Sequence, residues 1–553
     1  MTLTLIILAV IGVIWLVERS FAYIKLAIAA LGFIAAGLLL IVADLERAIL
    51  LSSYLMIAIF AASCVKYKHS GLKLTVTDFP LAFAGTVPFF LVQYPLAITA
   101  VLTGGAALIL AAVATLLYVS GPPISLEVRV LLFTTTFIIL VAAYKASGGA
   151  AYFQQIAAQR RCFFSSFIFS LLDPNSWRQF GGLTLSDIAN DPLPLMAAVP
   201  ARTLDYPDII LIQHESIFDP RVYELPVEPI VEAFLSPKNG LYGTLNVDIF
   251  GGGSWQSEFS LLTGLSSASF GSDAYFLFKR GVGRFHNSLP HSLTALGYKT
   301  MLTSSCRRNF LNYDEFYRSI GISERLFTND FPPPFDVDQF ETTNSDVLFL
   351  KAAISTHTKR ITDDTAPRFL YVLTNFNHGP HNRRLVEPGH FASERAFAAE
   401  SLPDACYAEY YARLVETAAT WNMLKSELSK CFPRRRTLIV HYGDHQPVMT
   451  RRIEAKLKLP LDERRQFRTF YAIETLNYCS DRLVPGRGAD LDIAFLGTIA
   501  LQQAGLPLDE VFATRASLLE HCRESYFASQ SERKRRFHRT LVERGIIDIS
   551  QNM

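Results

Sequence analysis

Glu215, Ser254, His378, Asp444 and His445 are the residues of this 553-residue chain whose types and places could together do chemistry. They fall in four short stretches: ESIFD (215–219), GGGSWQSEFSLLTGL (251–265), NHGPH (377–381) and GDHQP (443–447). Two carboxylates, a histidine and a hydroxyl make a hard, mixed oxygen and nitrogen donor set, which suits Mn²⁺, Mg²⁺ or Zn²⁺. The three glycines before Ser254 let the backbone approach a ligand closely. Ser254 would open a helix over 254–264, and a helix N-terminus offers unpaired N–H groups to an anion. A serine hydroxyl beside a metal ion there loses its proton easily and can attack phosphorus.

Each stretch also has a plain structural reading. Ser254 can be an N-cap after a flexible turn, with Glu258 complementing the helix dipole. Asp444 can cap a GDH turn, His378 can bond its own loop, and Glu215 can be a solvated charge. Their shared placement carries the chemical reading. His214, His381, His390 and His441 lack that support and read as structural.

The elements that must position these residues begin near Asp208. IILI (209–212) ends in QHES, KTMLTSS (299–305) in CRRN, FLYVLT (369–374) in NFNHGPH, and TLIVHY (437–442) in GDHQP. Longer segments with helical spacing lie between them, such as 405–428. Buried strands alternating with helices predict a largely parallel sheet covered on both faces. Ligands bind beyond the carboxyl ends of such strands, where Glu215, His378, Asp444 and His445 stand.

Before about residue 146 the chain is nearly free of charge. Residues 3–17, 21–43, 49–65, 96–119 and 129–146 read as five membrane spans. Residues 79–94 carry Pro80 and Pro88 and read as a re-entrant or interfacial piece rather than a sixth span. The first segment has no basic start, and another span follows after Glu18, Arg19 and Ser20, so it is not a signal peptide. Spans almost without charge argue against transport and for an anchor. Lys66, Lys68 and Lys73 favour the cytoplasm. That preference conflicts with five spans and an outward C-terminal domain, but not with six.

Residues 147–207 form a connector. Within it, 152–172 reads either as an amphipathic helix with Arg160 and Arg161 near lipid phosphates or as a linker helix. A net charge of +2 gives no reason to expect nucleic acid. Seven cysteines without a CxxC pair argue against a zinc ribbon. Cys406 and Cys431 bracket the 405–428 helix and stand more than about 30 Å apart, too far to pair. The basic stretch 531–545 reads as a charged terminal helix with a solvated face.

Taken in order, the four motifs resemble the lipoteichoic acid synthase and phosphoglycerol transferase branch of the alkaline phosphatase–sulfatase superfamily. The likeness covers roughly 208–500 and extends to the multi-span N-terminus. It implies an α-helical membrane anchor (1–146), a juxtamembrane connector (147–207) and an α/β sulfatase-like catalytic domain with a helical tail (208–553). That domain would face the periplasm or cell exterior. The resemblance also implies that Glu215, Ser254, Asp444 and His445 hold one divalent ion, Mn²⁺ in first place. Ser254 would be the nucleophile, and His378 would contact the transferring phosphate. The branch uses Thr at the nucleophile; this chain has Ser, as in the wider superfamily.

Its Trp-Asn-Arg headgroup cluster matches NFLNYDEFYRSIG (309–321), where Leu311 and Tyr313 replace the Trp and Arg and Asn312 remains. Arg307 and Arg308 are the expected substitutes for the missing charge. The expectation is a membrane-anchored phosphotransferase. It would move a phosphoalcohol group, phosphoglycerol from phosphatidylglycerol first, onto a glycan or lipid-linked acceptor. The alternatives are a phosphodiesterase or sulfatase-type hydrolase, a phosphoethanolamine transferase, and a non-enzymatic lipid- or glycan-binding protein. A Cys-x-Pro-x-Arg match occurs at CFPRR (431–435) but not at the nucleophile position, where SWQSE (254–258) stands, which weakens a true sulfatase.

Overall fold

Apolar runs without breakers form the N-terminal helices in the computed structural model of the chain: α1 (Thr2–Val17), α2 (Phe21–Val42), α3 (Leu45–Ser70), α4 (Pro95–Tyr118), α5 (Leu126–Ala146) and α6 (Phe163–Leu172). The structure describes residues 2–18, 21–70, 73–76, 78, 95–147, 162–172, 185, 187–200, 205–306, 308, 310–331, 346–361, 366–523, 526–529 and 531–549. Two units are distinguished, Met1–Gln179 and Phe180–Met553.

Among the described residues, four helices are long and apolar enough to cross a membrane: Tyr23–Val42, Leu45–Tyr67, Ile98–Tyr118 and Leu126–Ala146. The fifth expected span is shorter. α1 has 16 residues, roughly 24 Å of helix against a hydrocarbon core of roughly 30 Å. α4 and α5 expose Leu102, Ile109, Leu117, Leu131 and Ile138, the surface expected of helices facing acyl chains.

The Arg47 guanidinium donates to the Val119 carbonyl (2.5 Å), and the Ile124 amide donates to the Ala43 carbonyl (2.9 Å). The α2–α3 and α4–α5 turns therefore share one end of the helix pair, and α3 and α4 run antiparallel. The helix ends that flank residues 79–94 thus lie on one side; 79–94 themselves are outside the described residues. Lys66 pairs with Asp78 at 2.6 Å, which neutralises part of the charge that weighed on orientation.

The connector differs from expectation. α6 is no surface helix, because Phe164 to Ser170 are all buried. Its sequence, FFSSFIFSLL, has no charged face to keep in water. Phe164, Ile168 and Phe169 pack with Leu26, Ala30, Met56 and Leu140. Glu18 caps it, accepting from the Phe164 amide (2.9 Å) and the Ser165 hydroxyl (2.5 Å). Arg160 and Arg161 lie outside the described residues.

The second unit is built on a mixed, mostly parallel sheet of β1 (Asp208–His214), β2 (Leu241–Asn246), β3 (Lys299–Ser304), β4 (Glu324–Leu326), β5 (Arg368–Leu373), β6 (Thr437–Gly443), β7 (Arg468–Leu476), β8 (Gly486–Arg487) and β9 (Leu491–Asp492). The order is β4-β3-β5-β1-β6-β7-β2-β8, with β9 also on β2. β7 runs antiparallel to β6 and β2; the other pairings are parallel.

Alternation along the strands fills two cores. Ile209 and Leu211 of β1 face one, with Tyr371 and Val440; Ile210 and Ile212 face the other, with Val372 and Ile439. His214 and His441 sit on the second side against Trp421, buried and without hydrogen-bond partners among the described residues. They are core imidazoles, held neutral by burial. The helices used below are α7 (Ser254–Thr263), α8 (Asp346–Ile361), α9 (Ala405–Cys431) and α10 (Glu532–Glu543). Among the described residues no cysteine is joined in a disulfide.

The terminal helix is not merely a solvated face. Phe537 and Leu541 of α10 are buried in the first core, and Lys534 pairs with Asp187 at 2.5 Å. The His538 Nδ1 donates to the Asp187 carbonyl (2.7 Å), so its Nε2 accepts from the Tyr526 hydroxyl (2.8 Å). Burial, reinforced by the Lys534 ammonium, pushes His538 down to about 4. Its folded value lies below its unfolded one, so stability is present above about pH 6.5 and is lost as pH falls toward 4. Wild type should lose about 2 kcal/mol more than His538→Gln between pH 7.5 and 5. Denaturant unfolding at the two pH values checks this. Equal losses would show that His538 does not carry the acid response.

Candidate active site

Strand ends place the site. β1 delivers Glu215 one residue past its end, and the adjacent parallel β6 delivers Asp444 and His445. Gly443 makes that approach possible, since a Cβ there would lie 1.8 Å from the Ile217 carbonyl oxygen. Ser216 takes a left-handed φ of 55°. In that pose its amide donates to Asp444 Oδ1 (2.8 Å) and its hydroxyl to Glu215 Oε1 (2.8 Å).

The glycine run solves the third approach. Gly251, Gly252 and Gly253 have φ of 80°, 142° and 93°, conformations that strain any residue with a side chain. The Gly251 amide donates to the Gln446 carbonyl at 2.9 Å. Gly253 is the N-cap of α7, and Ser254 is its first residue. The hydroxyl is therefore not a cap. It donates to Glu215 Oε2 (3.0 Å) and lies 3.3 Å from His445 Nε2. One turn on, Ser257 donates to the Asp444 carbonyl (2.6 Å) and locks the helix to the GDH turn.

His445 is oriented by its far side. Its Nδ1 lies 3.1 Å from the Gln446 carbonyl, so it must donate there, and Nε2 is turned toward Glu215 Oε1 (3.3 Å) and Asp444 Oδ2 (3.6 Å). Gln446 is itself fixed: its side chain accepts from the Tyr223 hydroxyl (2.6 Å) and donates to the Arg465 and Arg468 carbonyls (2.8 and 2.6 Å).

The ligand atoms of Glu215, Asp444 and His445 lie within 4.8 Å of one another, all buried. Burial works to raise Glu215, but the charge and hydrogen bond of His445 and the Ser216 hydroxyl act together to hold the carboxyl below the usual range. Burial and then Glu215 push Asp444 up to about 7. Burial opposes a charge on His445, yet Asp444 and Glu215 carry it up to about 9. Asp444 Oδ2 is buried and has no hydrogen-bond partner among the described residues. Two buried carboxylates, one with an orphaned oxygen, call for a cation. The donor set therefore fits a divalent ion, with Ser254 Oγ as a further oxygen.

Beneath the site, Glu258 accepts from Gln213 (3.1 Å) and from the Tyr317 hydroxyl. Burial pushes it up to about 8, so it is a buried acid rather than a solvated dipole partner.

The remaining expected residues lie differently. His378 is half-buried, and its Nδ1 is 2.6 Å from the Gly379 carbonyl. Nδ1 therefore carries the proton, and Nε2 is left for another group. Arg308 is occupied by Asp314 (2.8 Å) and Asp330 (2.7 Å), and stacks over Phe327. Asn312 donates to the Phe278 carbonyl at 3.0 Å. Both are thus engaged in protein contacts here. Arg307 lies outside the described residues.

A hydroxyl at a helix N-terminus, facing two carboxylates and a histidine beyond parallel strands, is an arrangement for transfer at a tetrahedral ester centre. Residues 207–469, which include all four motifs, match the family model for Sulfatase. This is the superfamily that the motifs resemble.

An uncharacterized protein of Haemophilus influenzae is 23% identical over 314 residues, which span 55% of this chain and 55% of that protein. The chain thus matches about half the length of that relative. Two solved structures are similar at low identity. The phosphoglycerol transferase GacH of Streptococcus pyogenes, in complex with sn-glycerol-1-phosphate, is 17% identical with a TM-score of 0.46, covering 65% of this chain and 86% of its own. The lipoteichoic acid synthase LtaP of Listeria monocytogenes is 15% identical with a TM-score of 0.44, covering 56% of this chain and 76% of its own.

Proposed function

We propose that the protein is a membrane-anchored, metal-dependent phosphotransferase working through a covalent intermediate on Ser254. The observation that carries this is the Ser254 hydroxyl, 3.0 Å from Glu215 and 3.3 Å from His445 at the head of α7. Glu215, Asp444, His445 and the Ser254 hydroxyl would hold one divalent ion, Mn²⁺ first. When bound, the ion neutralises charge on the phosphoryl oxygens and eases loss of the Ser254 proton.

Ser254 Oγ attacks the phosphorus of a phospholipid, phosphatidylglycerol first. The bond to the diacylglycerol oxygen breaks, and that oxygen takes a proton. The phosphoalcohol stays on Ser254 until a hydroxyl of a glycan or lipid-linked acceptor attacks the same phosphorus and frees the serine. His378 Nε2, bare in this tautomer, takes the Ser254 proton, and the imidazolium then faces the transferring phosphate and returns that proton to the leaving oxygen. The positive end of the α7 dipole favours the anion.

The test is diacylglycerol release from labelled phosphatidylglycerol, with phosphatidylethanolamine in parallel. Release from the first, slowed about a hundredfold or more by His378→Ala, is expected. Background rates with both lipids would remove the phospholipid donor. Release from phosphatidylethanolamine alone would change the headgroup and keep the chemistry.

The reading also places the catalytic domain outside the cytoplasm, where such lipids and glycans meet. Cys431 and Cys479 are exposed, and a membrane-impermeant maleimide should label them in spheroplasts. Labelling only after lysis would reverse the orientation.

A further inference from the structure

The loop that carries His378 has no ladder of its own. After β5, residues 374–391 form neither strand nor helix, so their backbone groups need partners from elsewhere. One face of α9 supplies them. Glu409, Arg413 and Thr417 stand at every fourth position, on one stripe. Arg413 is completely buried. Its Nη1 donates to the carbonyls of Phe376 (3.4 Å) and His378 (3.0 Å). Its Nη2 donates to those of Pro380 (3.5 Å) and Arg383 (2.6 Å).

The third arm, Nε, donates to Glu409 Oε1 at 3.0 Å. Glu409 compensates the buried charge and accepts from the amides of Leu385 (2.8 Å) and Val386 (3.3 Å). Thr417 Oγ1 accepts from Asn377 Nδ2 (2.9 Å) and donates to Asp346 of α8 (3.3 Å). The His381 Nε2 ties back to the Asn377 carbonyl at 2.9 Å. A guanidinium is a flat fork with five N–H donors in fixed directions. Four carbonyls from one loop are gathered on it, and one belongs to His378 itself.

We infer that Arg413 is the positioning residue for His378: its fork sets the path of residues 376–383 and thereby the place of the imidazole at the site. This rests on the reading of His378 as a phosphate-facing group. Arg413 touches no reacting atom; it acts through the backbone of the loop. Lysine can keep the charge opposite Glu409 but not the fork, so Arg413→Lys should leave the fold and loosen the loop. A shift of about 1 Å in a group at the reacting centre costs on the order of a hundredfold in rate.

The experiment uses the full chain in detergent, with wild type, Arg413→Lys, His378→Ala and the double variant. One measurement is diacylglycerol release from fluorescent phosphatidylglycerol. The other is hydrogen exchange of peptides covering 375–386, 251–264 and 440–446. In Arg413→Lys, kcat should fall between about tenfold and a hundredfold with metal content unchanged, and the double variant should be no slower than His378→Ala. Exchange should quicken in 375–386 and stay unchanged in the other two peptides. Wild-type turnover by Arg413→Lys would overturn the inference. So would losses that multiply in the double variant, or exchange that quickens in all three peptides, because Arg413 would then act through the whole fold. If wild type does not cleave this lipid, the proposed donor falls, and the exchange experiment still decides the role of Arg413.

Discussion

Ser254→Ala should abolish turnover, by a factor of at least about 10⁴, and leave the fold intact. The substitution removes one oxygen. That oxygen caps nothing, since Gly253 is the N-cap, and its contacts are to Glu215 and His445. Alanine is the strongest helix former, so the first turn of α7 keeps its shape. Ser257 still bonds the Asp444 carbonyl, and the GDH turn stays in place. The thermal midpoint should therefore move by no more than about 1 °C, a shift that corresponds to roughly 0.8 kcal/mol for a unit of this size.

A second measurement separates a nucleophile from a bystander. Without acceptor, headgroup-labelled phosphatidylglycerol should leave its label on the peptide that contains residue 254 in wild type, and none in the variant. Residual turnover within tenfold of wild type would end the covalent mechanism, whatever the metal does.

Much of this site was legible in the sequence for a physical reason. β1, β3, β5 and β6 are central parallel strands, buried on both faces, so they read as continuous apolar runs ending in polar residues. β2 and β7 did not announce themselves. LYGTLN is interrupted by a glycine, and RTFYAIETL carries Glu474, which Trp421 and Lys425 satisfy from α9. Residues that act through the main chain were also invisible. Ser216 contributes an amide at an unusual φ, and Gln446 contributes a carbonyl. Arg413 stands 35 residues from His378 and looks like any helix charge until the loop is seen folded over it.

The tail and the connector misled in opposite ways. The basic residues of 531–545 hid Phe537 and Leu541, one turn apart on a buried face. Arg160 and Arg161, outside the described residues, lent a surface character to a segment whose helix α6 buries Phe164 to Ser170.

Asp444→Asn should separate the two things the buried acidic pair does. Without a cation, Glu215 and Asp444 are two carboxylates side by side at 4% and 0% exposure, an arrangement that costs stability when both are charged. Burial and Glu215 push Asp444 up to about 7. The folded value lies above the unfolded one. Stability from this group is therefore complete below the unfolded value near 4 and is lost as pH rises through 7.

In chelator at pH 8, the asparagine variant should thus be at least as stable as wild type, and that advantage should vanish toward pH 4. Asparagine can keep the contacts that matter to the fold, because Asp444 Oδ1 accepts from the Ser216 and His445 amides at 2.8 Å each. The orphaned Oδ2 becomes an NH₂ group facing the remaining charge.

With Mn²⁺ the order should reverse. An ion at a hundred times its Kd stabilises a folded protein by about 2.7 kcal/mol. Wild type should show a gain of that size on titration, and Asp444→Asn should show almost none. Turnover should fall at least about a thousandfold, since the charge on the phosphoryl oxygens is then met by His378 and the helix terminus alone. Thermal melts with and without chelator, at both pH values, read all of this. An unchanged Mn²⁺ shift in the variant would remove Asp444 from the ligand set. A collapse of the variant in chelator would make Asp444 a cap for the turn instead of a ligand.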